Sequence, residues 1–418
     1  MTTKTASRGK IFSWALFDFA NTGFYVIIIT LVFPIYFKNV LAGGNEAVWG
    51  RTIAASMLIT ALIAPFLGSV ADATSRKKFF LALFTIACIA ATTGLYWMTG
   101  PALLGLAIGL VIIANIGFEG GTVFYDAFLP ELASKKDYAR VSAFGWGIGY
   151  LGSFIILALI YPMISGDPSQ EQVRLTFLIA VAFFGLFSLP MFLAVPERRD
   201  KGASTVRYPI KQGYRRLRDT FEHIRSYRDV IRFLTAFFVY NDSILTVILF
   251  AGIFAEEMLG FTTEELVQFF MIVQGTALIG SFLFGWVADR LGARNTLFIT
   301  LGIWIVVVVV AYFVQDASMF VVVGAIAGLA LGSSQSTSRM FMALLTPAEK
   351  KTEFFGFYDG FFGKASAVIG PLLFGEVAFA LGLRPAMLVV GGLFILGMLL
   401  LARVPDVRPE EVSLSEPG

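Results

Sequence analysis

Twelve mostly apolar stretches follow one another along the chain, and a helix of roughly 20 such residues is long enough to cross the hydrocarbon core of a bilayer. They cover residues 12–38, 48–72, 79–98, 102–131, 138–164, 173–195, 229–258, 263–289, 295–314, 318–345, 353–382 and 384–404. The polar segments between them are short except for 196–228, which divides the series into six and six. Pro65, Pro162 and Pro371 fall inside stretches and predict kinks rather than ends. The narrowest division is the last, where Gly382, Arg384 and Pro385 alone punctuate the pattern.

One polar turn recurs. Gly68 and Asp72 close the second stretch and are followed by Arg76, Lys77 and Lys78; Gly285 and Asp289 close the eighth and are followed by Arg290 and Arg294. In each copy a glycine lets two helices approach closely. The aspartate four residues later can accept hydrogen bonds from the free N–H groups that begin a neighbouring helix. Gly68 and Gly285, Pro130 and Pro347, and Phe144 and Phe361 all share a separation of 217 residues. Three landmarks in one register predict two parallel repeats: a six-helix bundle over 1–195, a linker over 196–228, and a second bundle with a short tail over 229–418.

The loop charges set an orientation. The linker alone holds ten Lys and Arg residues, and further bases lie in the N-terminal arm, at Arg76 to Lys78, at Lys135 to Arg140, at Lys350 and Lys351 and in the tail. The other side has Lys38, Arg51, Arg174 and Arg384, and its loop between stretches seven and eight carries Glu256, Glu257, Glu264 and Glu265 with no base. Both termini are therefore expected in the cytoplasm. Met1 to Lys10 reads as a basic arm and not as a cleavable signal. Within the linker, Ile210, Tyr214, Leu217, Phe221 and Ile224 recur at helical spacing after Pro209, which predicts an amphipathic helix, lying on the anionic inner leaflet or packed beneath the bundles.

Composition narrows the class. Apolar residues make up 57% of the chain and charged residues 15%, with a mean hydropathy of +0.78, values far from those of a soluble domain of 418 residues. The fold class expected is an all-α polytopic membrane protein. A single cysteine, Cys88, and a single histidine, His223, leave no metal site and no disulfide framework, and no cofactor is expected. There is no Ser/His/Asp grouping for an enzyme, no sizeable extramembrane domain for a receptor, and no phosphate-binding loop for ATP-driven transport.

Charges inside the apolar stretches are costly, on the order of 3 kcal/mol each at the bilayer centre, and so mark function or obligatory pairing. Helix 1 carries Asp18 and Asn21, helix 4 Asn115, Glu119, Tyr125 and Asp126, helix 7 Tyr240, Asn241 and Asp242, helix 10 Gln335 and Arg339, and helix 11 Asp359, Lys364 and Glu376. Asp18, Asp126, Arg339 and Asp359 each lie about six residues, roughly 9 Å, inside the cytoplasmic end of their helix. That common depth predicts one polar ring, with Arg339 pairing the carboxylates as a gate. Glu119, Asn241, Asp242 and Lys364 lie nearer mid-membrane, where a desolvated carboxylate is a candidate proton carrier; with Tyr240, Asn21, Asn115 and Gln335 they form the expected substrate or proton-coupling set. Gly117, Gly120 and Gly121 beside Glu119 are expected to leave room for a ligand. The series Gly145, Gly147, Gly149 and Gly152 is expected to pack against helix 8, and Gln274, Trp146 and Trp304 to be packing residues.

The recurring turn resembles the signature loop of the major facilitator superfamily. That resemblance implies two six-helix bundles around a central cavity, with helices 1, 4, 7 and 10 lining it. These are four of the five helices that carry the buried charges. A narrower resemblance rests on Ser13 to Thr22, Phe124 to Pro130, Gln335 to Arg339, Phe354 to Asp359, and Gly363 with Lys364. Together they look like the vacuolar amino-acid effluxer branch, named for the autophagy-related fungal permease, although Asp126 and Asp359 stand where asparagine is more usual there and Ala73 replaces an arginine. The resemblance implies a secondary transporter in a bacterial inner membrane that exports amino acids or related solutes, with a proton or Na⁺ as coupling ion. Its expected partners are membrane lipid and a small solute, not nucleic acid, and it is expected to act as a monomer. A sugar or drug transporter of the same superfamily is the alternative.

Overall fold

The structure is a computed structural model and describes residues 5–166, 168–197, 211, 214–215, 218–219, 222, 224–347 and 350–407. The predicted start of the linker helix at Pro209 and Ile210, with Leu217, Phe221, His223 and the tail beyond 407, lies outside the described residues.

Twelve long helices are present among the described residues. They are α1 (Arg8–Leu41), α2 (Glu46–Thr74), α3 (Lys77–Leu95), α4 (Pro101–Leu132), α5 (Tyr138–Ile164), α6 (Gln170–Ala194), α7 (Arg228–Leu259), α8 (Thr263–Leu291), α9 (Ala293–Phe313), α10 (Ala317–Leu345), α11 (351–381) and α12 (Leu383–Leu401). Eleven are long and apolar enough to cross a membrane; α11 is the one that carries Asp359, Lys364 and Glu376. Leu58, Leu62, Ile86, Leu193 and Phe313 are among the large apolar side chains turned outward, as a bilayer requires and water does not favour.

Local chemistry fixes several boundaries. Ser169 with Gln172 and Thr262 with Glu265 form reciprocal capping boxes that begin α6 and α8. The Asp316 carboxylate accepts from the backbone N–H groups of Ser318 and Met319 at the start of α10. Gly382 turns the chain between α11 and α12 at φ +97°, a conformation that a side chain would strain.

Within the first six helices α1 packs on α5 and α6, and α4 on α2 and α3; within the last six α7 packs on α11 and α12, and α10 on α8 and α9. The two bundles meet where α5 lies against α8 and α10, and where α2 lies against the first half of α11. Three helices are not regular throughout: α4 opens with a 3-10 turn at Pro101–Leu103 and is interrupted by a turn at 127–128. Helix α1 has π-helical turns at Tyr25–Leu31 and Phe37–Leu41, and α11 has one at Gly356–Phe362.

The helix 5 glycines serve a different partner from the one expected. Only Gly147 faces α8, against Phe282 and Ser281, whereas Gly145 faces Trp14 and Arg339, Gly149 faces Asp18 and Gly152 lies on the Phe19 backbone. Gly145, Gly149 and Gly152, four and three residues apart, share the face toward α1, while Gly147, two residues from its neighbours, points away from it.

Candidate functional site

Both copies of the recurring turn sit on bundle-to-bundle seams at the same end of the molecule. A Cβ at Gly68 would stand 2.5 Å from the Thr352 carbonyl oxygen of α11, and one at Gly285 would stand 2.4 Å from the Ala143 Cβ of α5. Asp72 accepts from Thr352 Oγ1 at 2.6 Å and from the Glu353 backbone N–H at 3.0 Å, so it ends on the free N–H groups that begin α11. Asp289 instead accepts from Arg140 Nε at 2.6 Å, at the start of α5. Arg294 donates to the Ala402 carbonyl after α12, and Arg76 precedes α3, where buried Lys77 pairs with Glu131. The N-terminal arm joins this end through Ala6 N, which donates to the Leu132 carbonyl.

Deeper in the molecule Arg339 is 1% exposed and bridges the halves. Its Nη1 donates to Asp126 at 2.8 Å and to Asp18 at 3.3 Å, its Nη2 to the Ser142 carbonyl at 2.8 Å, and its Nε to Ser142 Oγ at 3.1 Å. The Trp14, Trp146 and Tyr125 rings surround the guanidinium at 5.1, 5.2 and 5.9 Å. Trp14 is held in turn by stacking on Tyr125 and by a bond from its indole N–H to the Tyr125 carbonyl. A planar fork with its donors used and its faces covered has one geometry available to it.

Asp359 does not join this ring, contrary to the expectation from its depth. Its Oδ2 accepts from Thr122 Oγ1 at 2.7 Å, and its Oδ1 from Lys364 Nζ at 3.4 Å. Lys364 pairs across the bundles with Glu119. Glu119, Thr122 and Asp126 follow each other at intervals of three and four on α4, so one helix face touches both clusters. Tyr25 of α1 completes the surroundings, stacked against Phe118 at 5.7 Å.

The glycines beside Glu119 do not open space for a ligand. Gly117 lies on Cys88 and Phe84, Gly120 on Phe84, and Gly121 on Leu81 and Phe84, all from α3. Asn21 is buried one turn from Asp18, and Asn115 donates to Ser56 Oγ at 2.7 Å within its own bundle.

The residues of α7 are likewise satisfied inside one bundle. Tyr240 shares a 2.7 Å bond with Ser338; Asn241 donates to Ser366 and accepts from Gln335; Asp242 accepts from the Gly370 backbone N–H at 2.8 Å. They tie α7 to α10 and α11 and do not reach Glu119. Trp304 packs on Phe394 and donates to Ser334, a packing role as expected.

Sequence reasoning missed Trp14, Ser142 and Thr122 and treated Trp146 as filler. Thr122 was findable, since it lies between Glu119 and Asp126 on their shared helix face; nothing in the sequence marks Ser142.

A helical membrane protein of two bundles, joined at mid-depth by buried ion pairs from facing helices, has the architecture of a major facilitator transporter. Solved structures agree on the fold. The human organic anion transporter MFSD10 (TETRAN) superimposes with a TM-score of 0.72 at 15% identity, covering 94% of this chain and 98% of that one. The proton:xylose symporter XylE gives 0.71 at 16% identity and covers 98% of both. The chain belongs to the family described as vacuole effluxer Atg22 like, which its residues 45–411 match. It is 33% identical over 422 residues to the uncharacterized MFS-type transporter YxiO of Bacillus subtilis (strain 168), covering 96% of each chain. It is 23% identical over 442 residues to autophagy-related protein 22 of Eremothecium gossypii, covering 89% of this chain and 86% of that protein. It is thus a secondary transporter of small molecules and not an enzyme.

Proposed function

We propose that the transporter exports amino acids or closely related polar solutes from a bacterial cell in exchange for protons, with the signature-turn face and both termini in the cytoplasm. The basic loops of that face support the orientation. The family's description as an effluxer supports the direction.

The observation that carries the reading is the Glu119–Lys364 pair at mid-membrane, one partner from each bundle, with Asp359 as a second carboxylate on the same ammonium. A pair that spans the two moving bodies has to be remade during each alternation of access, and a proton on a carboxylate is the smallest charge that can replace a lysine there. The bundle-to-bundle hydrogen bonds and ion pairs support assigning the gate to Arg339, Asp18 and Asp126. Arg339 with Asp126, Ser142 with Ser336, Lys364 with Glu119, Thr122 with Asp359, Arg140 with Asp289 and Thr352 with Asp72 all lie between mid-depth and the signature face, while Tyr161 with Glu264 lies on the opposite side. In this reading the cytoplasmic side is closed and the opposite side is the open one.

Purified protein in liposomes tests the function. A mixture of labelled amino acids should accumulate against its gradient when the lumen is acidified, and Glu119→Gln should abolish that accumulation while leaving counterflow exchange, which needs no net proton movement. Accumulation that follows a Na⁺ gradient and ignores pH refutes the proton reading. A lack of amino-acid counterflow in the unsubstituted protein refutes the substrate class.

A further inference from the structure

Asp359 and Lys364 are five residues apart on one helix, and in a regular α-helix such residues point about 140° away from each other. They share one face because the turn just before Lys364 is π-helical, from Gly356 to Phe362, and a π-turn brings positions five apart into line. A second such turn lies across the cluster. Helix α1 has its own π-turn at Tyr25–Leu31, and Tyr25, which opens it, stacks on Phe118 next to Glu119. Both of these π-turns therefore border the Glu119–Lys364 pair, and the one in α11 aligns two charged side chains that a regular helix would separate. Single π-turns within longer helices are rare and concentrate where function needs them.

We infer that Asp359 is a positioning residue for the Glu119–Lys364 pair: the π-turn of α11 places its carboxylate where it anchors the lysine within its own bundle and, through Thr122, fastens that anchor to the other. This rests on the proton-coupled reading and deepens it. With two carboxylates and one ammonium, the cluster is charge-balanced only after it takes up one proton, so its charge, and with it the bond between bundles, follows pH. Without Asp359 the remaining pair is already balanced and has no reason to respond. Among the described residues, the other ionisable and charged groups facing the cluster are Tyr25 of α1, Cys88 of α3, Asp126 of α4 and Tyr358 of α11, with Arg339 of α10 beyond Asp126. In each neighbouring state the turn can relax toward α geometry, which swings Asp359 off Lys364 and frees the ammonium to change partners.

The test needs no substrate. Cysteines replacing Asn39 at the end of α1 and Glu257 near the end of α7 lie exposed on the face opposite the signature turns and in different bundles. The native Cys88 is fully buried. Spin labels at these two sites report the populations of open and closed forms in lipid nanodiscs as pH is varied. The populations should shift with pH in the unsubstituted background, become flat in Asp359→Asn, with a loss of about tenfold in the pH-induced population ratio, as expected for coupling between sites, and regain their pH response in Asp359→Glu. Thr122→Val, which keeps every charge, should move the midpoint of the response without removing it, and it carries the test if Asp359→Asn fails to fold. An unaltered pH response in Asp359→Asn, or an unmoved midpoint in Thr122→Val, overturns the inference and leaves proton coupling standing if Glu119→Gln is flat. No pH response in the unsubstituted background overturns both.

Discussion

The Arg339 and Lys364 clusters have the same stoichiometry, one cation against two carboxylates, and both bridge the bundles, yet they are built differently. Arg339 is 1% exposed, makes four hydrogen bonds and is walled by three aromatic rings. Lys364 is 13% exposed with two ionic partners, one of which, Asp359, is 22% exposed. Guanidinium is planar and weakly hydrated, so it suits a dry, many-pointed contact; ammonium is a compact, strongly hydrated charge on a flexible stem that can change partners at low cost. The difference teaches that depth alone does not assign a role. A dry cluster can only be made or broken as a unit, whereas a wetter one can exchange a proton or a partner while both bundles stay where they are.

Removing the two cations should give the sharpest contrast. Arg339→Ala leaves Asp18 and Asp126 buried without their counter-charge, and breaking a buried pair in this way costs about 3–5 kcal/mol. Thermal unfolding in detergent should show that loss, and labelling on the signature face should rise as the closed form is depopulated. Lys364→Met should lower stability less, because Asp359 at 22% exposure keeps its hydration and only Glu119, at 4%, is left buried without a partner, while eliminating proton-driven accumulation. Equal destabilisation by the two substitutions would erase the distinction between a dry clasp and a wet switch.

A smaller change probes what holds the clasp together. Ser142 Oγ accepts from Arg339 and donates to the Ser336 carbonyl, so Ser142→Ala removes two bonds between bundles and leaves every ion pair in place. The expected cost is about 1–3 kcal/mol, typical of a buried donor or acceptor left without its partner. Counterflow should become faster, since the closed side opens more readily. Slower counterflow with unchanged stability would assign Ser142 to substrate contact instead.

How far these clusters could be read from the sequence follows from what periodicity encodes. Stretches of membrane-spanning length, the 217-residue register and the basic loops are one-dimensional signals, and the helices begin and end within a few residues of the positions they predict. The helix on which each charge sits was legible for the same reason. Which carboxylate faces which cation was not, because that depends on rotation about the helix axis, and the π-turn of α11 changes the rotation with no marker in Gly356 to Phe362. Asp359 was therefore placed with Arg339 by depth when its face belongs to Lys364. The glycines around Glu119 misled in a related way, since a missing side chain is filled by whichever helix lies opposite, here α3 with Phe84.

The smallest effect concerns a group outside the membrane, and it decides how much of any pH response belongs to the two clusters. Asp137, in the loop between α4 and α5, accepts from Ser134 Oγ at 2.6 Å and from Thr5 of the N-terminal arm. The Ser134 and Thr5 hydroxyls hold its carboxyl below the ordinary carboxylate range. A carboxylate with a depressed value in the folded state stabilises that state above the unfolded value, and the contribution is lost as pH falls through the folded one. The group is partly exposed, so water and salt screen the effect and it stays small. At neutral pH the unsubstituted protein should be slightly more stable than Asp137→Asn in thermal unfolding, and the gap should close on acidification through and below the usual carboxylate range. A gap that widened on acidification would mean that the arm is held by something other than the ionised carboxylate. Any pH dependence that both proteins share at higher pH cannot come from this loop, and comparing it in Glu119→Gln and Arg339→Ala backgrounds then divides it between the wet cluster and the dry one.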